Sequence, residues 1–168
     1  MNQILETDRL RLREFTLDDA PFIKVLVNTP GWLKYIGERN VQTEEQARGY
    51  LTRGPIKSYQ ENGFGLWMVE LKENATPIGM CGLLRRDFLD HPDIGFAFLP
   101  DYHGKGYAYE AAQATLSFAK NQLGLATLCA ITLPTNSHSI KLLEKIGMKY
   151  LHPVLSPLSN DELLLYSH

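Results

Sequence analysis

The stretch "LPDYHGKGYAYEAA", residues 99–112, sets two glycines around a lysine immediately ahead of a helix-forming run. Such a turn can hold an anion. If it leads straight into a helix, the N–H groups from Gly104 to Ala108 (Gly104, Lys105, Gly106, Tyr107, Ala108) point into one concavity. The first four amides of a helix lack intrahelical partners and lie at the positive end of its dipole. Glycine lets the backbone approach phosphate oxygens with no Cβ in the way, and Lys105 adds attraction while pointing outward. Two common phosphate motifs do not fit. A Walker loop wants a glycine five positions before Gly104 and Ser or Thr after Lys105, where this chain has Leu99 and Gly106. The dinucleotide fingerprint wants Gly or Ala where this chain has Tyr109. From the turn alone, phosphate binding and a glycine-rich strand-to-helix corner that binds nothing both stand open.

Other chemistry-bearing residues point to less. Ser137, His138 and Ser139 are neighbours, but adjacency on a helix splays side chains apart and argues against a hydrolase triad. His91, His138, His152 and His168 share no metal-ligand spacing, so no metal is expected. Glu110 stands where a carboxylate stabilises the first turn of its helix.

These residues need elements to position them. "RLRLREF" (9–15) alternates charged and apolar residues as a half-exposed strand does. "TLDDAPFIKVLV" reads as a helix with Thr16 and Asp19 at capping-box spacing, and Thr43 with Gln46 opens another. The intervening "NTPGWLKYIGERNV" (28–41) carries Pro30, Gly31 and Gly37 and reads as irregular, and Gly54-Pro55 should break or kink the second helix. "FGLWMVEL" (64–71) and "PIGMCGLLR" (77–85) form a hairpin, and "DIGFAFL" (93–99) reads as a central strand covered on both faces. A helix over 106–123, a strand over 125–133, a helix ending at Gly147 and two final strands complete the order. Hairpins plus two strand–helix–strand units imply a mixed α/β fold, with about seven strands and helices on both faces.

A chain of 168 residues suits one domain, 1–168. The formal net charge of −2 gives no electrostatic reason to expect nucleic acid or an anionic membrane as partner. Cys81 and Cys129 are far apart in apolar surroundings and read as reduced, buried residues. With no signal-like N-terminus and no run of membrane-spanning length, the expectation is a cytoplasmic protein.

The residues around the glycine turn resemble the GCN5-related N-acetyltransferase (GNAT) superfamily, in its ribosomal-protein N-terminal acetyltransferase-like branch. That family's signature is Gln or Arg, two residues, Gly, one residue, then Gly or Ala; here it falls on His103, Gly106 and Ala108. "DIGFAFLPDY" resembles the family's fourth strand, "EAAQATLSFA" the long helix that follows it, and "LPTNSHSIKLLEKIGM" its asparagine-containing helix. "TDRLRLREFTLDDA" matches the branch's opening, so the resemblance spans essentially the whole chain in order.

The resemblance implies a GNAT fold with a single, mostly antiparallel sheet, and acetyl-CoA as co-substrate with its pyrophosphate on the amides of 104–108. It implies that the pantetheine arm pairs with the splayed end of the fourth strand at Phe98 and Leu99. Asn136 would hold that arm, and Ser139 would lie near the thioester sulfur. His103 replaces the usual Gln or Arg and can still donate to phosphate, weakly and with a pH dependence. Leu143 replaces a tyrosine that protonates the leaving thiolate in many relatives, so Ser139 or a water must take that role.

Acetyl transfer needs a neutral amine, and at pH 7 an alkyl amine of pKa ~10.4 carries a deficit of about 4 to 5 kcal/mol. A thiol of pKa near ~8.5 leaves with modest help, so the base is the larger requirement. Asp93, on the strand where the family often places an acid, is the expected base, directly or through water. Trp32 and Tyr35 occupy the loop where the family builds part of its acceptor pocket, and as loop aromatics they read equally as packing anchors. The expected partners are acetyl-CoA and an amine, either a small molecule or a protein N-terminus, acting on a monomer or homodimer. The alternative is a non-catalytic acyl-CoA-binding module of the same fold; a nucleotide-binding protein using the same turn is the third class.

Overall fold

The N-terminal residues form a hairpin of β1 (Gln3–Glu6) and β2 (Leu10–Arg13) in the computed structural model, which describes residues 2–168. The alternation in "RLRL" sorts β2 as expected. Leu10 and Leu12 are fully buried, while the arginines grip Glu70 on the next strand, Arg11 at 3.2 Å and Arg13 at 3.2 Å. Arg13 also reaches Asp19 at 2.9 Å.

Then come α1 (Ala20–Leu26), α2 (Pro30–Tyr35), α3 (Glu44–Leu51), α4 (Lys57–Asn62), β3 (Leu66–Leu71), β4 (Pro77–Leu84) and β5 (Asp93–Phe98). The second half runs α5 (Tyr107–Asn121), β6 (Cys129–Thr132), α6 (Ser137–Lys145), β7 (Lys149–Leu155) and β8 (Glu162–Ser167). The expected caps are made: the Thr16 amide donates to Asp19 at 2.9 Å, and Thr43 and Gln46 exchange both bonds of the box at 3.1 Å.

Three local details refine or depart from the expectations. The sheet has eight strands rather than about seven, because β1 adds a short edge strand. The segment expected to be irregular contains α2, since Pro30 occupies the first helical turn, where its missing N–H costs nothing. Gly54-Pro55 does interrupt the α-helix, though it does not end the helical run: α3 stops at Leu51, a π-helical turn over Thr52–Ile56 takes in Pro55, and α4 resumes at Lys57.

The sheet order is β1-β2-β3-β4-β5-β6-β8-β7, antiparallel except between β5 and β6. Both faces are covered. Trp67, Ile78, Cys81 and Leu83 pack with Ala112, Leu116 and Leu143 of α5 and α6 on one side. Met68 and Met80 pack with Ile23, Leu26, Ala47 and Leu51 of α1 and α3 on the other. Both cysteines are free and buried. No helix among the described residues is long and apolar enough to cross a membrane.

Candidate active site

The site follows from one irregularity in the sheet. Strands β5 and β6 share a single register pair, Asp93 opposite Cys129, helped by the Cys129 amide on the Pro92 carbonyl at 2.9 Å. Beyond that rung the strands part, because β6 continues against β8 while β5 continues against β4. The result is a fork, closed at Asp93 and open at Phe98, five residue steps or roughly 17 Å deep. The Leu99 amide donates to Ile78 of β4 at 2.9 Å. Backbone alternation therefore turns the polar groups of Phe96 and Phe98 into the fork, and the Leu99 amide, expected there from sequence, points the other way.

At the open end the chain makes a short turn over Pro100–Tyr102 and enters the glycine pair. Gly104 and Gly106 lie at φ 73 and φ 82, a left-handed conformation that glycine adopts without steric cost. No atom would oppose a Cβ at Gly104, so the surface over the turn is open. Glu110 is the first residue of α5 whose amide is taken up, by the Gly106 carbonyl at 3.0 Å. Among the described residues no acceptor takes the amides of residues 104–109. A row of free donors at a helix mouth, beside an open strand edge as deep as an extended arm of about four residue lengths, fits a phosphate-anchored chain such as coenzyme A.

His103 does not aim at the turn with Nε2: that nitrogen lies 2.9 Å from the Phe98 carbonyl, so the ring carries its proton there and ties the loop to the end of β5. Lys105 stands over the Tyr102 ring at 5.7 Å. The cation at the turn is instead Arg9. Its Nη1 donates to the Lys105 carbonyl at 3.0 Å and its Nε to Glu110 at 2.8 Å, with the guanidinium 4.3 Å from the centre of the Tyr107 ring. Glu110 also accepts from the Thr7 hydroxyl and from the Arg9 amide. Burial works to raise the Glu110 carboxyl, and the Thr7 and Arg9 bonds overcome it and hold it below the usual range. Arg9 thus braces the turn from across the fold, which no local pattern announced. Arg9→Ala should raise the KM for acetyl-CoA about tenfold with kcat nearly unchanged, as steady-state kinetics would read it.

Asn136 caps α6, its Oδ1 accepting from the Ser139 amide at 3.3 Å, and its Nδ2 has no partner among the described residues. The Ser139 hydroxyl is likewise unpartnered there and half-buried. Leu143 is 1% exposed within the core beneath α6, so the position that carries tyrosine in many relatives is here a packing residue. Trp32 is also an anchor, buried with its Nε1 on the Gly37 carbonyl at 3.0 Å.

Asp93 sits at the closed end of the fork, 1% exposed, with Arg86 Nε 3.1 Å from both carboxylate oxygens. Burial pushes its carboxyl up to about 6, with Arg86 pulling the other way. Asp93 and Ser139 are not neighbours: Asp93 opens β5 at the closed end, and Ser139 follows β6 beyond its open end.

Residues 9–149 match the family of the acetyltransferase (GNAT) domain. The chain is 32% identical over 146 residues, 86% of its length and 82% of the relative's, to a Bacillus subtilis protein named uncharacterized N-acetyltransferase YnaD. The fold is similar to the crystal structure of an acetyltransferase from Agrobacterium tumefaciens, with a TM-score of 0.84 and 27% identity over 100% of this chain and 94% of that one. It is also similar to the ribosomal-protein acetyltransferase RimL, solved in complex with coenzyme A, with a TM-score of 0.81 and 13% identity over 99% and 97% of the two chains. The non-catalytic alternative is not favoured by this company. A matched domain that covers most of the sequence, over a forked sheet of the same build, settles the lineage: the chain belongs to the GNAT acetyltransferase family, whose chemistry is acetyl transfer to an amine.

Proposed function

We propose that the protein transfers the acetyl group of acetyl-CoA to a primary amine by direct attack within a ternary complex, the amine belonging to a protein N-terminus or a small molecule. The observation that carries this reading is the row of unclaimed amides over residues 104–109 beside the open fork. The amides of Gly104, Lys105, Gly106, Tyr107 and Ala108 hold the diphosphate, with Arg9 beside them. Phe96 and Phe98 pair with the pantetheine arm as a neighbouring strand would, and the Nδ2 of Asn136 donates to it. Bound acetyl-CoA supplies an activated acyl group.

The chain's own residues do the rest. Asp93, ionised above about pH 6 but at the closed end of the fork and away from Ser139, accepts the proton of the incoming ammonium through water, so that the amine attacks neutral. Amides of β5 that face the fork donate to the oxygen on which negative charge develops. The Ser139 hydroxyl, free of partners among the described residues while the Ser139 amide donates to Asn136 Oδ1, hands a proton to the departing thiolate.

A thiol-release assay with acetyl-CoA and a broad amine panel tests the reading. Turnover on at least one amine is expected; coenzyme A binding with no turnover on any would favour a binding protein. Ser139→Ala should lower kcat by about tenfold while leaving the affinity for acetyl-CoA within about twofold. A pure rise in KM would make Ser139 a positioning residue only.

A further inference from the structure

On the α1–α4 face of the sheet, away from the glycine turn, lies a second cavity of about 760 Å³. Its floor is Leu66 of β3 and Leu84 of β4, and its wall is Tyr50, Arg53 and Lys57 along α3, the turn after it and α4. Arg39 and Arg85 line it as well. Leu84 is the register partner of Asp93, so the floor ends one strand away from the candidate base. The Tyr50 phenol is raised by burial, with the charges of Arg39 and Arg86 opposing, and that same Arg86 grips Asp93. The cavity therefore ends beside the Arg86–Asp93 pair, neither member of which lines it.

The charge of this cavity stands out against a chain of net −2. Of the eight arginines in the sequence, Arg9, Arg11, Arg13 and Arg86 have carboxylate partners. Arg39, Arg53 and Arg85, three of the other four, line this one cavity and have no carboxylate partner among the described residues. The single carboxylate in the lining, Glu61, lies 3.7 Å from Lys57 and offsets that charge alone. Guanidinium groups without internal partners, gathered at one concave surface, match carboxylate or phosphate oxygens and repel a cation.

Resting on the acetyl-transfer reading above, we infer that this cavity receives the acceptor, and that the acceptor carries a carboxylate or phosphate group near its reactive amine. Arg39, Arg53 and Arg85 bind that anion and leave the amine toward Asp93. Polyamines and aminoglycosides, which bring only positive charge, are poor acceptors.

The test uses matched acceptors: short amidated peptides with acidic, neutral or arginine residues after the N-terminal alanine, each with one free amine, and phosphoethanolamine against ethanolamine and the triamine spermidine. Thiol release is measured for each, and calorimetry of the peptides with the protein saturated in coenzyme A reads binding without turnover. The anionic member of each set should have a kcat/KM and an affinity at least about tenfold above its cationic counterpart, and the peptide and phosphoethanolamine arms tell a protein acceptor from a small one. In the R53E/R85E double variant that order should invert while the affinity for coenzyme A stays unchanged. Turnover that favours cationic acceptors, or an order untouched by the double variant, overturns the inference and leaves acetyl transfer standing. Charge-selective binding with no turnover on any acceptor overturns acetyl transfer and leaves the anion-binding cavity standing.

Discussion

Gly106→Glu is expected to abolish coenzyme A binding while leaving the protein folded. Gly106 is the residue from which α5 starts, at φ 82, and any side chain there costs about 1 to 2 kcal/mol in the left-handed region. A new Cβ would meet only the Arg9 Nη2, at 3.3 Å, the end of a flexible side chain that can give way. The new carboxylate would lie among the free amides and beside Arg9, filling the anion site with a charge that repels phosphate. Affinity for coenzyme A should fall at least about 100-fold, a loss of ~2.7 kcal/mol. Gly106→Ala carries the same backbone strain without the charge and should lose far less. Calorimetry on both variants, with circular dichroism as the check on folding, measures the difference. A folded Gly106→Glu protein with native affinity would place the diphosphate elsewhere.

The second large effect is expected at Asp93. Its carboxylate is the active form of the base, so kcat/KM should fall as pH drops below about 6, the value to which burial pushes it. Asp93→Asn keeps the shape and removes the proton acceptor. Turnover at neutral pH should drop by about 10² to 10⁴, the acid limb of the profile should vanish, and coenzyme A should bind as before. Arg86 loses its counter-charge in that variant, but its side chain is 35% exposed and water can take over. Arg86→Gln makes the complementary change: it removes the charge that opposes burial, so the acid limb should move to higher pH. An Asp93→Asn enzyme with native turnover would reduce Asp93 to an anchor for Arg86.

What the sequence revealed and what it hid divide along physical lines. Signals carried within a few residues were legible. The capping pairs Thr16–Asp19 and Thr43–Gln46, the apolar runs of β3 to β5 and the glycine turn all have their cause in local backbone chemistry. The resemblance to the GNAT family, which rested on such local motifs in order, carried the fold. Local rules misled where tertiary context reassigns a residue. Pro30 and Gly31 read as breakers, yet proline is at home in a first helical turn, while Pro55 marks a π-helical turn between two α-helices rather than an end. "QILE" is too short to announce β1. Contacts between distant segments left no trace: Arg9 reaches Glu110 across 101 positions, and Arg39, Arg53 and Arg85 gather from three separate elements. His103 was read as a phosphate donor from its place in a motif, and only the path of β5 shows its Nε2 turned to Phe98.

The single rung between β5 and β6 has a consequence for the protein's lifetime as well as its chemistry. A sheet joined so thinly at its centre is two cooperative units with a seam, and a ligand that lies along the seam welds them. Such a ligand adds to global stability by mass action, ~2.7 kcal/mol at one hundred times its dissociation constant, an amount comparable to that separating durable proteins from degraded ones. Without a ligand along that seam, the protein should melt at a lower temperature and yield faster to proteolysis, which adding acetyl-CoA should reverse.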